Sequence, residues 1–101
     1  MDITIQEDEK TLTVNFNGRL DSLSSPEAGK EIMPLINQKD YETIILDCHE
    51  LAYIASSGLR LIFTILKTGK MKGGRVILKD VNDAVRTILD TTGFATLFEF
   101  Q

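Results

Sequence analysis

The chain has 101 residues, 43% of them hydrophobic and 26% charged, with a formal net charge of −4. That length and balance suit one domain (residues 1–101) with its own core, and the negative charge makes a phosphate backbone a poor partner, so no nucleic acid is expected. A single cysteine, Cys48, excludes an internal disulfide framework, and no apolar run approaches the roughly 20 residues needed to cross a bilayer.

Taken in order, Ile3-Thr4-Ile5-Gln6 and Leu12-Thr13-Val14-Asn15-Phe16-Asn17 alternate apolar and polar residues, the pattern of half-buried strands. The polar stretch Glu7–Lys10 joins them as a hairpin, and Gly18 ends or bulges the second strand. Asp21 to Ser25 is a loop of cap-forming residues, and Pro26 suits a first helical turn. A helix is expected from about Pro26 to Asn37, with Ala28, Ile32, Leu35 and Ile36 on one face. Pro34 should kink it or end it early, because proline lacks the N–H and collides with the preceding turn.

Thr43-Ile44-Ile45-Leu46 is a continuous apolar run rich in β-branched residues, as in a buried central strand. A second helix follows from about Ser57 to Met71. Leu59, Ile62, Phe63 and Leu66 form its apolar stripe. Leu61 and Ile65 fall outside that stripe, which leaves two options: an exposed apolar patch or a second packed face. Gly73-Gly74 stops the helix, and Val76-Ile77-Leu78 reads as the next buried strand. Asp80 is placed to cap a third helix bearing Val81, Ala84, Val85, Ile88 and Leu89, with Gly93 as its stop. Leu97–Phe100 completes the order β-β-α-β-α-β-α-β. Strands alternating with helices predict a mixed α/β sheet of four to five strands, largely parallel.

The chemistry of the chain concentrates at Ile54-Ala55-Ser56-Ser57-Gly58-Leu59-Arg60, where a strand passes into a helix. Open α/β sheets place their sites at that end of the strands. Two roles fit Ser56 from the residues alone: a helix N-cap accepting from Leu59 N–H, or an acceptor for phosphate, which the positive end of a helix tolerates. Ser57 suits a solvated first turn. Cys48-His49 has too few companions for a metal site, Ala55 and Ile54 stand where a nucleophile elbow needs glycine, and Gly73-Gly74 lacks the lysine of a phosphate loop. No catalytic constellation is present, so no enzyme and no cofactor are expected.

This segment resembles the signature of the STAS family, the bacterial anti-sigma-factor antagonists. Asp47 with the stretch Cys48–Tyr53 matches the strand end and loop before the motif. Gly18-Arg19-Leu20-Asp21 is similar to the family's early Gly-x-Leu-Asp, and Thr92–Phe98 to its ending. Ala55 departs from the pattern, since a carboxylate or hydroxyl is usual there. The resemblance implies a mixed sheet with helices mainly on one face and a phosphoacceptor at Ser56. It further implies a docking surface drawn from Asp21, Ser22, Ser24, Ala55, Ser56, Ser57, Gly58 and Arg60. The implied partners are an anti-sigma-factor serine kinase and, for the phosphorylated form, a PP2C-type phosphatase, in the cytoplasm and without membrane insertion. Asp21 has two candidate roles, a turn or cap residue or a group that orients the Ser56 hydroxyl or repels its phosphate. An alternative within the family is an adaptor subunit that docks on a membrane transport ATPase with no phosphorylation cycle.

Overall fold

Alternation in the first two segments produces strands, and the short polar link between them makes them antiparallel. The computed structural model describes residues 1–101, with β1 at Asp2–Glu7 and β2 at Thr11–Leu20. Ile3 pairs with Phe16 and Ile5 with Val14, so the apolar phase of the hairpin falls on one side. The remaining strands are β3 (Thr43–Ile54), β4 (Arg75–Lys79) and β5 (Glu99–Phe100). They add in parallel to give the order β1-β2-β3-β4-β5. Each parallel step needs a crossover, supplied by α1 (Ser24–Gln38), α2 (Ser56–Met71) and α3 (Asp83–Thr92).

One side of the sheet carries the core. Leu12, Val14, Phe16, Ile44, Leu46, Cys48, Val76 and Leu78 are buried there. They form a single cluster with Ala28, Ile32 and Ile36 of α1, Ile62, Ile65 and Leu66 of α2, and Val85 and Leu89 of α3. The opposite phase of the strands holds Thr11, Thr13, Asn15, Thr43 and Asp47, all half-buried. Ile77 belongs to that phase and is the one buried apolar side chain outside the cluster. It pairs with Glu99, whose carboxylate meets Arg75, two residues along β4, at 3.2 Å. That surface ion pair borders the isolated isoleucine on its side of the sheet.

Several boundaries differ from the sequence-based expectation. β3 runs to Ile54, not Leu46, so Cys48–Tyr53 is strand and Asp47 does not end it. β2 follows it with register shifts at Asn15/Asn17 and Gly18/Arg19, where Gly18 takes φ +117. The longer ladder satisfies backbone groups that a loop would leave to water. α1 passes through Pro34 without ending there. The lost bond falls at the carbonyl of Lys30, an exposed residue that water can serve. Asn82, not Asp80, caps α3, its side chain accepting from Val85 N–H at 2.9 Å. Asp80 instead turns the chain at φ 56.

Three apolar assignments are corrected or resolved by packing. Phe63, expected in the core stripe of α2, is 38% exposed and meets Phe94 edge to face at 6.0 Å. Phe94 opens a short 3-10 turn, Phe94–Leu97, that occupies part of the expected last strand. Ile65 is fully buried and Leu61 packs toward Gly29 of α1, so these two residues form a second packed face and not an exposed patch.

Candidate phosphorylation and docking site

β2 and β3 end side by side. Leu20 pairs with Ile54, and Ala55 N–H donates to Leu20 O at 2.9 Å. Two segments far apart in sequence, the loop after Leu20 and the start of α2, are therefore neighbours at the carboxyl end of the sheet. Ala55 is extended (φ −94, ψ 175) and its carbonyl accepts the first helical bond, from Leu59 N–H at 2.9 Å.

The cap of α2 is thus Ala55, and Ser56 is the first helical residue, one position inside the expected cap. Its hydroxyl does not accept from Leu59. A methyl at the cap position provides no acceptor, so no side chain caps this helix, and no acidic residue stands in its first turn. The N–H groups of Ser56, Ser57 and Gly58 are left at the positive end of the macrodipole. Ser56 is exposed on this open edge. Ser57 is turned inward, with its Oγ buried and unpartnered, contrary to a solvated role.

Gly58 is buried for a steric reason. A Cβ there would lie 2.7 Å from Leu20 O and 2.9 Å from Leu20 Cγ. Only glycine lets α2 approach the end of β2 this closely, so its place in the motif is one of packing.

The neighbouring loop is tied by its own polar groups. Asp21 Oδ1 accepts from Leu23 N–H and Ser24 N–H, both at 3.0 Å. Ser24 Oγ accepts from Asp21 N–H at 2.9 Å and donates to Arg19 O at 2.7 Å. Ser25 N–H donates to Asp21 O at 2.9 Å. This reciprocal Asp21–Ser24 arrangement is a capping box, placing the functional cap of α1 a turn ahead of Ser24. The Ser24 backbone N–H above all, then the Ser24 hydroxyl, holds the Asp21 carboxyl below the usual carboxylate range. None of its hydrogen bonds reaches Ser56; of its two candidate roles, the cap is the one these bonds fill.

Of the residues that the sequence brings into consideration, Ser22, Ser56 and Arg60 are exposed, Asp21, Ala55 and Ser57 are half-buried, and Ser24 and Gly58 are buried. Arg19 lies over the Tyr53 ring at 4.3 Å on the same edge. Leu23, within the loop Leu20–Ser25 that the resemblance implies for docking, is 81% exposed. Elsewhere, burial foremost and then Asp47 and Asp80 push the Cys48 thiol up to about 12. No three His, Cys, Asp or Glu side chains gather in a metal-holding cluster. No helix is long and apolar enough to cross a membrane.

A five-stranded sheet with three helices on one side, and a serine at the exposed start of the central helix, define the class of the molecule. The STAS domain family model matches residues 2–101. The chain is 30% identical over 93 residues to the anti-sigma F factor antagonist of Paenibacillus polymyxa, covering 92% of this chain and 80% of that protein. It is 24% identical over 101 residues to the anti-sigma-B factor antagonist of Bacillus subtilis, covering 100% of this chain and 91% of that protein. The fold also matches the unphosphorylated form of the anti-sigma factor antagonist SpoIIAA with a TM-score of 0.86, at 22% identity, over 99% of this chain and 88% of that one. The chain belongs to the STAS family.

Proposed function

We propose that this chain is an anti-sigma factor antagonist, a cytoplasmic protein-binding switch and not an enzyme, modified at Ser56. The observation that carries this reading is the exposed Ser56 at the first residue of α2, with the uncapped N–H groups of that helix around it. The names of the relatives point the same way: two are anti-sigma factor antagonists, and a further structure of the same fold is the phosphorylated form of SpoIIAA (TM-score 0.78, 21% identity, over 99% of this chain and 91% of that one).

In the unmodified state the edge formed by Ser22, Ser56 and Arg60 docks on an anti-sigma-factor serine kinase, which then releases its sigma factor. The kinase transfers a phosphoryl group from ATP to Ser56 Oγ; ADP leaves and the hydroxyl proton passes to a base on the kinase. The new group brings a charge of about −1.5 to −2. It falls at a helix N-terminus, where the domain itself tolerates it. The fold persists, and the complex is disfavoured by charge and bulk at the contact. A PP2C-type phosphatase returns Ser56 to the hydroxyl.

The experiment is mass analysis after incubation with the cognate kinase and Mg·ATP. Wild type should gain one phosphoryl group and Ser56→Ala none, with the same thermal stability for both. Equal labelling of the two proteins would move the acceptor elsewhere.

A further inference from the structure

Two buried side-chain hydroxyls find no hydrogen-bond partner within the protein, Ser25 Oγ on α1 and Ser57 Oγ on α2. Both residues line the same groove, which runs between the N-terminal halves of the two helices and has a volume of about 290 Å³. Ser25 is only 4% exposed. A buried hydroxyl without a partner costs the desolvation of a polar group, and native proteins keep few of them. Two on one groove mark a place where something other than the protein completes the bonds.

The walls say what it is. They hold one charged group, the Arg60 guanidinium, and no carboxylate. Thr64 Oγ1 is already committed, donating to Arg60 O at 2.9 Å. At the Ser57 end, α2 adds the positive pole of its macrodipole, which no side chain caps. Free donors and positive charge with nothing opposing them select an anion with oxygen acceptors. Small-molecule sites usually span about 300–1,000 Å³, and this groove stands at the bottom of that range. It suits a small oxyanion and not a nucleotide. Pro26 and Leu61 leave an apolar wall beside it.

From these observations we propose that the α1–α2 groove binds a small phosphate-type oxyanion, held by Arg60 and by the hydroxyls of Ser25 and Ser57. Both Oγ atoms lie beneath the groove surface, and a serine hydroxyl reaches another staggered position by rotation about one bond. The anion gives each of them an acceptor that the protein does not. Ser56 does not line the groove, so the proposal stands or falls separately from the role of that residue.

The test is an amide-resolved NMR titration of the full chain with inorganic phosphate, sodium chloride holding the ionic strength constant. Saturable shifts are expected at Ser57, Gly58 and the Arg60 side chain, with a Kd in the millimolar range. Arg60→Gln should weaken binding by about tenfold. Ser25→Ala should weaken it by about threefold, yet melt no lower than wild type, because it removes a hydroxyl that the fold leaves unbonded. Ser57→Ala carries the same test if the Ser25 variant does not fold. Glycerol 3-phosphate separates two sources of the group: tighter binding than inorganic phosphate assigns the groove to a phosphomonoester, and equal binding to the free ion. Shifts that rise linearly without saturation, as for a groove filled by water, overturn the proposal. Equal binding by wild type and Arg60→Gln overturns it too.

Discussion

Asp21 and Ser56 stand at neighbouring strand ends and do different work. The Asp21 carboxylate gathers two N–H groups from its own loop, and those bonds favour its charged form. Its folded pKa is lowered, so the stability it contributes is complete above the ordinary value of 3.8 and is lost as pH falls through the folded value. Asp21→Ala should therefore unfold at a lower temperature than wild type at pH 7, with the gap closing below pH 3.8, as calorimetry across pH would show. This role was half legible: the sequence marks Asp21 as a cap or turn former, but whether its carboxylate faces Ser24 or Ser56 depends on a register that a sequence does not print. Ser56 was legible as a residue at a helix start. Its exact position was not, because a helix whose cap is alanine breaks the rule by which caps are read.

At the scale of elements, α1 ends without a basic residue of its own in the last turn. Lys72, at the end of α2, supplies the missing charge. Its Nζ donates to Ile36 O at 2.9 Å and Asn37 O at 2.8 Å, and pairs with Asp40 at 3.5 Å. A cation there satisfies two terminal carbonyls and opposes the negative end of the α1 dipole. Lys72→Ala should cost about 1 kcal/mol in denaturant unfolding with an unchanged slope, whereas loss of a plain surface lysine would be near neutral. Nothing in the local sequence announces this bond, since its partners are 36 and 35 residues away. The same limit explains β3. The run Thr43–Leu46 reads as strand by composition, but His49 and Glu50 carry no such signal; Glu50 is held by pairing with Asn17 of β2, and His49 lies at the register shift just before it.

For the molecule as a whole, the order of elements and the side of the sheet that carries the core were written in the alternation of Leu12, Val14 and Phe16 and in the apolar stripes of the helices. The strand ends were not, because edge pairing depends on what arrives last: β5 is two residues long and joins only Ile77 and Leu78. This architecture sets an order of local stability. β2 and β3 have neighbours on both sides and hold the fully buried Leu12, Val14, Phe16 and Leu46. β1 and β5 are edges. Amide exchange should be slowest in the middle of β2 and β3 and fastest in β5 and the outer half of β1, by a margin approaching the global unfolding free energy. Protection spread evenly over the five strands would contradict this layout.

A single peptide rung, Ala55 N–H to Leu20 O, joins the start of α2, and with it Ser56, to the loop that follows β2. Their mutual placement is set by the strand ends behind them, where Leu20 and Ile54 are both buried. Substitutions at those two hidden positions can thus tilt the exposed Ser56 against the Asp21–Ser24 loop without altering a single surface residue.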